Sequence, residues 1–219
     1  MQTMEDIEDA LAPRFSRSWS RVGGRDKAVF AELSARYSEP HRAYHSLEHI
    51  AECLAWFDRL AHLAQRPSEL ELALFFHDLI YEPTRHDNEA RSAERFEQLA
   101  HAAGIASAVR GRVSGLILVT TDHQAQAGDA ALLCDIDLAI LGAPPGRFLQ
   151  YEAAVRREYA FVQEPCYRIG RGSVLRSLLE RWAIYRTDSM TRFLEAQARG
   201  NLQNALSLLG TGARFGGAP

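Results

Sequence analysis

The sequence predicts an all-α protein of roughly eight to ten helices, and three observations carry that prediction. Apolar residues recur at three- and four-residue spacing along nearly the whole chain. No stretch alternates apolar and polar residues with β-branched enrichment, the signature of a half-buried strand. Helix-stop signals punctuate the pattern, as where Gly142 is followed by Pro144-Pro145. The 219 residues suit one domain of the larger single-core kind, able to bury a core without staples.

Taken in order, Ile7, Leu11 and Phe15 mark a first helix that Gly23-Gly24 closes. Asp26 is expected to open a second, carrying Val29, Phe30, Leu33 and Tyr37 and stopped by Pro40. Residues 44–64 place Leu47, Ile50, Leu54, Phe57 and Ala61 on one stripe, a long amphipathic helix. Pro67-Ser68-Glu69 begins the helix expected to hold His77 and Asp78. Asp87 or Asn88 caps the next, which turns Ala93, Phe96 and Leu99 inward and ends at Gly104. A helix over 107–121 follows, then His123 and a loose stretch, with Asp129 capping a helix over 130–141. The remaining helices are expected at 148–162, 172–185, 189–199 and 202–209. One domain is thus expected over 1–209, with a core at 37–142, C-terminal helices at 146–209 and a flexible tail at 210–219.

Composition narrows the partners. A formal charge of -3 and a pI near 6.2 leave no electrostatic footprint for wrapping a nucleic-acid duplex. Cys53, Cys134 and Cys166 are odd in number and lack C-x-x-C spacing, which points to a reducing, cytoplasmic compartment. The start, Met1-Gln2-Thr3-Met4-Glu5-Asp6, lacks a basic segment leading into an apolar one. No run approaches the ~18 apolar residues of a membrane span. A soluble chain with no membrane partner is therefore expected.

The chemistry concentrates in three places. Leu74-Phe75-Phe76-His77-Asp78-Leu79-Ile80 sets an imidazole and a carboxylate into an apolar run, where desolvating them is costly unless something compensates, most cheaply a metal ion. Tyr44-His45-Ser46-Leu47-Glu48-His49 places two imidazoles four residues apart, hence on one face of a helix. Cys134-Asp135-Ile136-Asp137-Leu138 sets two carboxylates into an apolar helix, a poor position for Asp unless a cation holds one of them.

This order of residues, with Phe76-His77-Asp78-Leu79-Ile80-Tyr81-Glu82-Pro83, Asp87-Asn88-Glu89 with Ser92, and Asp135-Ile136-Asp137-Leu138-Ala139-Ile140-Leu141-Gly142, resembles the HD superfamily, in particular its branch of predicted metal-dependent phosphohydrolases, over residues 37–205. The resemblance implies His49, His77, Asp78 and Asp137 as ligands to a divalent ion, with His45 the alternative to His49 and Asp135 the alternative to Asp137; with Asp137 as the ligand, Asp135 orients a ligand from behind. Two histidines and two carboxylates suit Mn²⁺, Fe²⁺, Ni²⁺, Co²⁺, Zn²⁺ or Mg²⁺ better than a cysteine-rich structural zinc. By analogy with cyclic-nucleotide phosphodiesterases, which share a similar Tyr-His-x-x-x-His segment, His45 becomes the candidate proton donor. Glu82, one turn after Asp78 if the helix continues, is a candidate for activating water. His123, Arg85, Arg156, Arg168 and Arg171 are candidates for gripping phosphate. The implied activity is hydrolysis of a small phosphate ester, with nucleotides among the candidates. Two other readings stand beside it: an HD-fold oxygenase with two irons, and a ligand-binding module without turnover.

Overall fold

A computed structural model of the chain describes residues 3–25 and 28–211. Those residues hold ten α-helices, three short 3₁₀ turns and no strand, so the expected all-α fold forms. Asp26, expected to open the second helix, and residues 212–219 of the expected tail lie outside the described residues. No described helix is long and apolar enough to cross a membrane. The chain divides into two compact units, Met1–Ile136 and Asp137–Pro219.

The first unit is built on α1 (Met4–Arg21), α2 (Val29–Tyr37), α3 (Leu47–Leu60), α4 (Pro67–Phe76), α5 (Asn88–Ala102), α6 (Ser107–Leu118) and most of α7 (Gly128–Asp137). Thr3 opens α1 with a capping box: its hydroxyl accepts from the Asp6 N–H, and the Asp6 carboxylate accepts from the Thr3 N–H. The centre is α4. Its sequence Leu70-Glu71-Leu72-Ala73-Leu74-Phe75-Phe76 has no polar face, and a helix apolar all round belongs inside. It packs against α1, α3, α5 and α6, and Leu70 and Leu72 to Phe76 are wholly buried. Each such Leu or Phe contributes roughly 1.5–3 kcal/mol by leaving water. Glu69 and Glu71 are the polar exceptions, and each is paired: Glu69 with Arg112 at 2.6 Å, Glu71 with Arg14 and Ser18. Around the C-terminal end of α4, Phe15 and Trp19 of α1, Phe75, Phe76 and Phe96 form an aromatic cluster. Trp19 stands 6.0 Å from Phe76 and 6.4 Å from Phe96.

Several expected boundaries move. The long helix over 44–64 begins only at Leu47 and gives way after Leu60 to the 3₁₀ turn Ala61–Leu63. Asp129 does not cap its own helix by side chain; its carboxylate instead accepts the backbone N–H groups of Gln65 and Arg66 at 2.7 and 2.9 Å, just ahead of α4. At the end of α5, Gly104 does stop the helix as expected. Its φ of +81° carries the N–H of Ile105 back to the Ala100 carbonyl at 2.9 Å, a Schellman closure.

The second unit runs from Asp137 through the 3₁₀ turn Leu138–Gly142 to α8 (Pro145–Glu158), α9 (Glu164–Leu179) and α10 (Asp188–Thr211). The two helices expected at 189–199 and 202–209 are one, and Gly200 does not break it. Met190, Leu194, Ala198, Leu202, Ala205 and Leu209 make one buried stripe across that glycine. Packing of the stripe outweighs the ~1 kcal/mol that Gly costs inside a helix. Gly142 lies so close under α10 that a Cβ there would sit 2.6 Å from Leu194 Cβ, and Asn201 ties the same turn by donating to the carbonyls of Leu141 and Ala143, both at 2.8 Å. The helix expected at 172–185 starts earlier and ends sooner, because Pro165 supplies a favourable first-turn residue and Gly170 and Gly172 are carried inside it.

Candidate metal centre

The centre of the first unit's chemistry is where α4 runs out. The His77 N–H still bonds the Ala73 carbonyl at 2.9 Å, so His77 caps the helix, and the Leu79 N–H turns back to the Phe76 carbonyl at 3.1 Å. His77 and Asp78 therefore lie in a tight turn at the helix exit rather than within the helix. Ser92 of α5 braces that turn from the far side: its hydroxyl accepts from the Ile80 N–H at 3.0 Å and donates to the Ile80 carbonyl at 3.3 Å.

His49, on the first turn of α3, is 2% exposed and His77 is 1% exposed. Their Nε2 atoms stand 3.2 Å apart. Asp78 Oδ2 completes a triangle, 3.1 Å from His77 Nε2 and 3.7 Å from His49 Nε2. The tautomer of His77 is dictated by its surroundings. Its Nδ1 lies 2.9 Å from the Leu74 carbonyl, an acceptor only, so Nδ1 carries a proton and donates it. In the neutral ring Nε2 then presents a lone pair to a carboxylate oxygen. Two acceptors at that distance need a proton or a cation between them.

A cation fits the triangle. Ligand atoms about 2.1 Å from one ion are separated by about 3.0 Å at a right angle and about 3.4 Å at the tetrahedral angle; the observed edges of 3.1 and 3.2 Å fall between those values, and the third, at 3.7 Å, is longer than both. The bond from Nδ1 to a backbone carbonyl is the usual support of a ligating histidine, fixing the ring and the tautomer. Burial above all, and then the Asp78 carboxylate, push the Tyr37 phenol well above its ordinary 10.0. It stays protonated, donating to the Phe75 carbonyl at 2.9 Å.

The other expected residues divide. His45 is not on the helix of His49 but in the turn ahead of it, since α3 starts at Leu47. It remains beside the pair, its ring 6.1 Å from that of His49 and stacked on Tyr81 at 4.1 Å. Glu82 is exposed in irregular chain, because the helix ended six residues earlier at Phe76, so it is not one turn along from Asp78. Its backbone is clasped by Asn88, through its N–H at 3.1 Å and its carbonyl at 3.0 Å. Arg85 is exposed and bidentate with Asp87 at 2.6 Å, and holds that carboxyl below the usual range. His123 is half-buried in the turn after the 3₁₀ turn Val119–Thr121, with a φ of 53°. Asp135 is buried within α7 at 1% exposure, and Asp137 is the half-buried last residue of that helix.

In the second unit the expected phosphate arginines serve the unit itself. Arg156 reaches Glu164 and the carbonyls of Tyr159 and Val162 at 3.0, 2.7 and 3.1 Å. Arg168 reaches the Leu208 carbonyl at 3.4 Å. Arg171 binds the wholly buried Glu152 and the Tyr151 hydroxyl, the latter at 2.8 Å.

Sequence reasoning passed over two residues at the centre. Cys53, one turn after His49, brings its sulfur to 3.7 Å from both ring nitrogens; read from the sequence, it spoke only of compartment. Arg42 lies under the whole turn, and its only signal was its place three residues ahead of His45. The chain matches no family model, no curated protein and no solved structure, so the reading of the site rests on these residues and distances.

Proposed function

We propose that this chain is a metal-dependent hydrolase of a small phosphate ester, with His49, His77 and Asp78 as ligands to a divalent ion. The observation that carries the reading is the convergence of His49 Nε2, His77 Nε2 and Asp78 Oδ2 while His77 Nδ1 is committed to the Leu74 carbonyl. Two nitrogens and one oxygen suit Mn²⁺, Fe²⁺, Co²⁺, Ni²⁺ or Zn²⁺. A bound ion there supplies Lewis acidity, polarising a phosphoryl oxygen and making a water a better nucleophile. The phosphate ester comes from the motifs' resemblance to HD phosphohydrolases, which also brings Asp137 into the ligand set. His45, half-buried and beside His49, is the proton donor to the leaving oxygen, and its stacking on Tyr81 restricts the ring to a defined orientation.

One observation favours a second reading. Two histidines and one carboxylate on one face are also the donor set of iron oxygenases.

Elemental analysis, followed by a screen of phosphorylated metabolites with Mn²⁺, Ni²⁺, Co²⁺, Zn²⁺ and Mg²⁺, separates the two. The hydrolase reading expects one divalent ion per chain, turnover that a chelator abolishes, and loss of both in His77→Ala. Bound iron with oxygen consumption and no phosphate release supports the oxygenase. Full metal content in His77→Ala sinks the site itself.

A further inference from the structure

Arg42 sits five residues ahead of α3, and its side chain is wholly buried, at 0% exposure. A guanidinium in that position is costly unless its donors are met. They are met mostly by backbone. Nη1 donates to the carbonyls of His45 at 3.0 Å and Asp78 at 2.8 Å, and Nη2 donates to the carbonyl of Leu79 at 2.9 Å. Nε donates to Glu39 at 3.1 Å, and the rings of Tyr37 and Tyr81 lie against the guanidinium at 5.1 and 5.5 Å.

The choice of acceptors is informative. A buried cation present for charge alone is best served by carboxylates, whereas three carbonyls around one rigid planar fork fix the positions of the chain that carries them. Two of those carbonyls follow the end of α4, where the helix no longer supplies partners. The third belongs to His45, four residues ahead of His49 and in a different segment. One planar group therefore joins the backbone beside one ligand to the backbone of another, the latter 36 residues of sequence from Arg42 itself. Ligand atoms held within 3.1 to 3.7 Å of each other tolerate about 0.5 Å of looseness in their supports.

Resting on the metal-centre reading, we infer that Arg42 is a positioning residue that holds the His45–His49 segment and the His77-Asp78 turn in the register that makes the metal site. It touches neither ion nor substrate. Its effect passes through the carbonyls of His45, Asp78 and Leu79, and through Tyr81, on which His45 stacks.

The test compares Co²⁺ binding by full-length wild type, Arg42→Lys, Arg42→Met and Leu33→Ala, a core change in α2, reading affinity and the visible absorption of bound Co²⁺. Lysine keeps the buried charge but cannot span three carbonyls from one fork. Arg42→Lys should fold, yet bind Co²⁺ at least about tenfold more weakly and with an altered spectrum. Arg42→Met should be as weak or weaker. Leu33→Ala, though destabilised, should match wild type in both readouts. Wild-type affinity and spectrum in Arg42→Lys would overturn the role of Arg42 while leaving the metal centre standing. Failure of both Arg42 variants to fold even with Co²⁺ present would overturn it too, because a positioning role leaves the rest of the core intact. No Co²⁺ binding by wild type removes the metal centre, and this role with it.

Discussion

His45 has the most exposed claim among the site residues, because its role depends on what it does and not on what it binds. Standing 6.1 Å from the His49 ring and stacked on Tyr81, it is close enough to serve a leaving group without being a ligand. His45→Asn should therefore keep its metal and lose about 10²- to 10⁴-fold in kcat on an ester with a poor leaving group. On p-nitrophenyl phosphate, which needs little protonation, the loss should be much smaller. Equal losses on the two substrates, or loss of the ion, would remove the proton-donor assignment. Asp135 and Asp137 make a second contrast. Two positions apart, they differ by about 200° around a helix and cannot face one ion together. Asp137→Asn should reduce metal affinity by more than the ~10–100-fold typical of a supporting residue, and Asp135→Asn by no more than that. The reverse order of affinities, measured by titration, would exchange their roles.

Among the elements, the ends of helices decide where the chemistry falls. The apolar run through Leu74, Phe75 and Phe76 was legible as buried from the sequence, and so was the need of His77 and Asp78 for compensation inside it. Their position past the end of α4 was not legible, since neither glycine nor proline stands at residues 77–80 to mark the stop. The last carbonyls of the helix find partners off its ladder, Phe75 the hydroxyl of Tyr37 and Phe76 the N–H of Leu79, and the next two, of Asp78 and Leu79, find Arg42; Tyr37 and Arg42 are too far away in sequence for any local pattern to reveal. The pairing of His45 with His49 was read as helical spacing, although α3 starts only at Leu47 and a turn brings the two rings together. Gly104 is the opposite case, a stop written in the local sequence. With φ at +81°, any residue bearing a Cβ is strained there. Gly104→Ala should cost about 1 kcal/mol, seen as a melting temperature lower by a few degrees with metal content unchanged. An unchanged melting temperature would show that the closure by Ile105 carries the turn without the glycine.

For the molecule as a whole, the metal should act as a stabiliser as well as a reagent. A folded first unit brings three ligands together that the unfolded chain scatters, so the ion binds the native state preferentially. At a free concentration 100 times its dissociation constant, that is worth about 2.7 kcal/mol. In a chain of this size the shift corresponds to a melting temperature roughly 5–10 °C higher, and a chelator should reverse it. A melting temperature indifferent to every divalent ion tested would count against the site. The aromatic cluster over the end of α4 also equips the chain for spectroscopy. Trp19 is enclosed by Phe15, Phe76 and Phe96, whereas Trp182, between α9 and α10, is 94% exposed. In a Trp56→Phe background, which removes the half-buried third indole, dissolved iodide should reach Trp182 and spare Trp19, so the unquenched, blue-shifted fraction of the emission follows the packing around Phe76, one residue from His77, without any label.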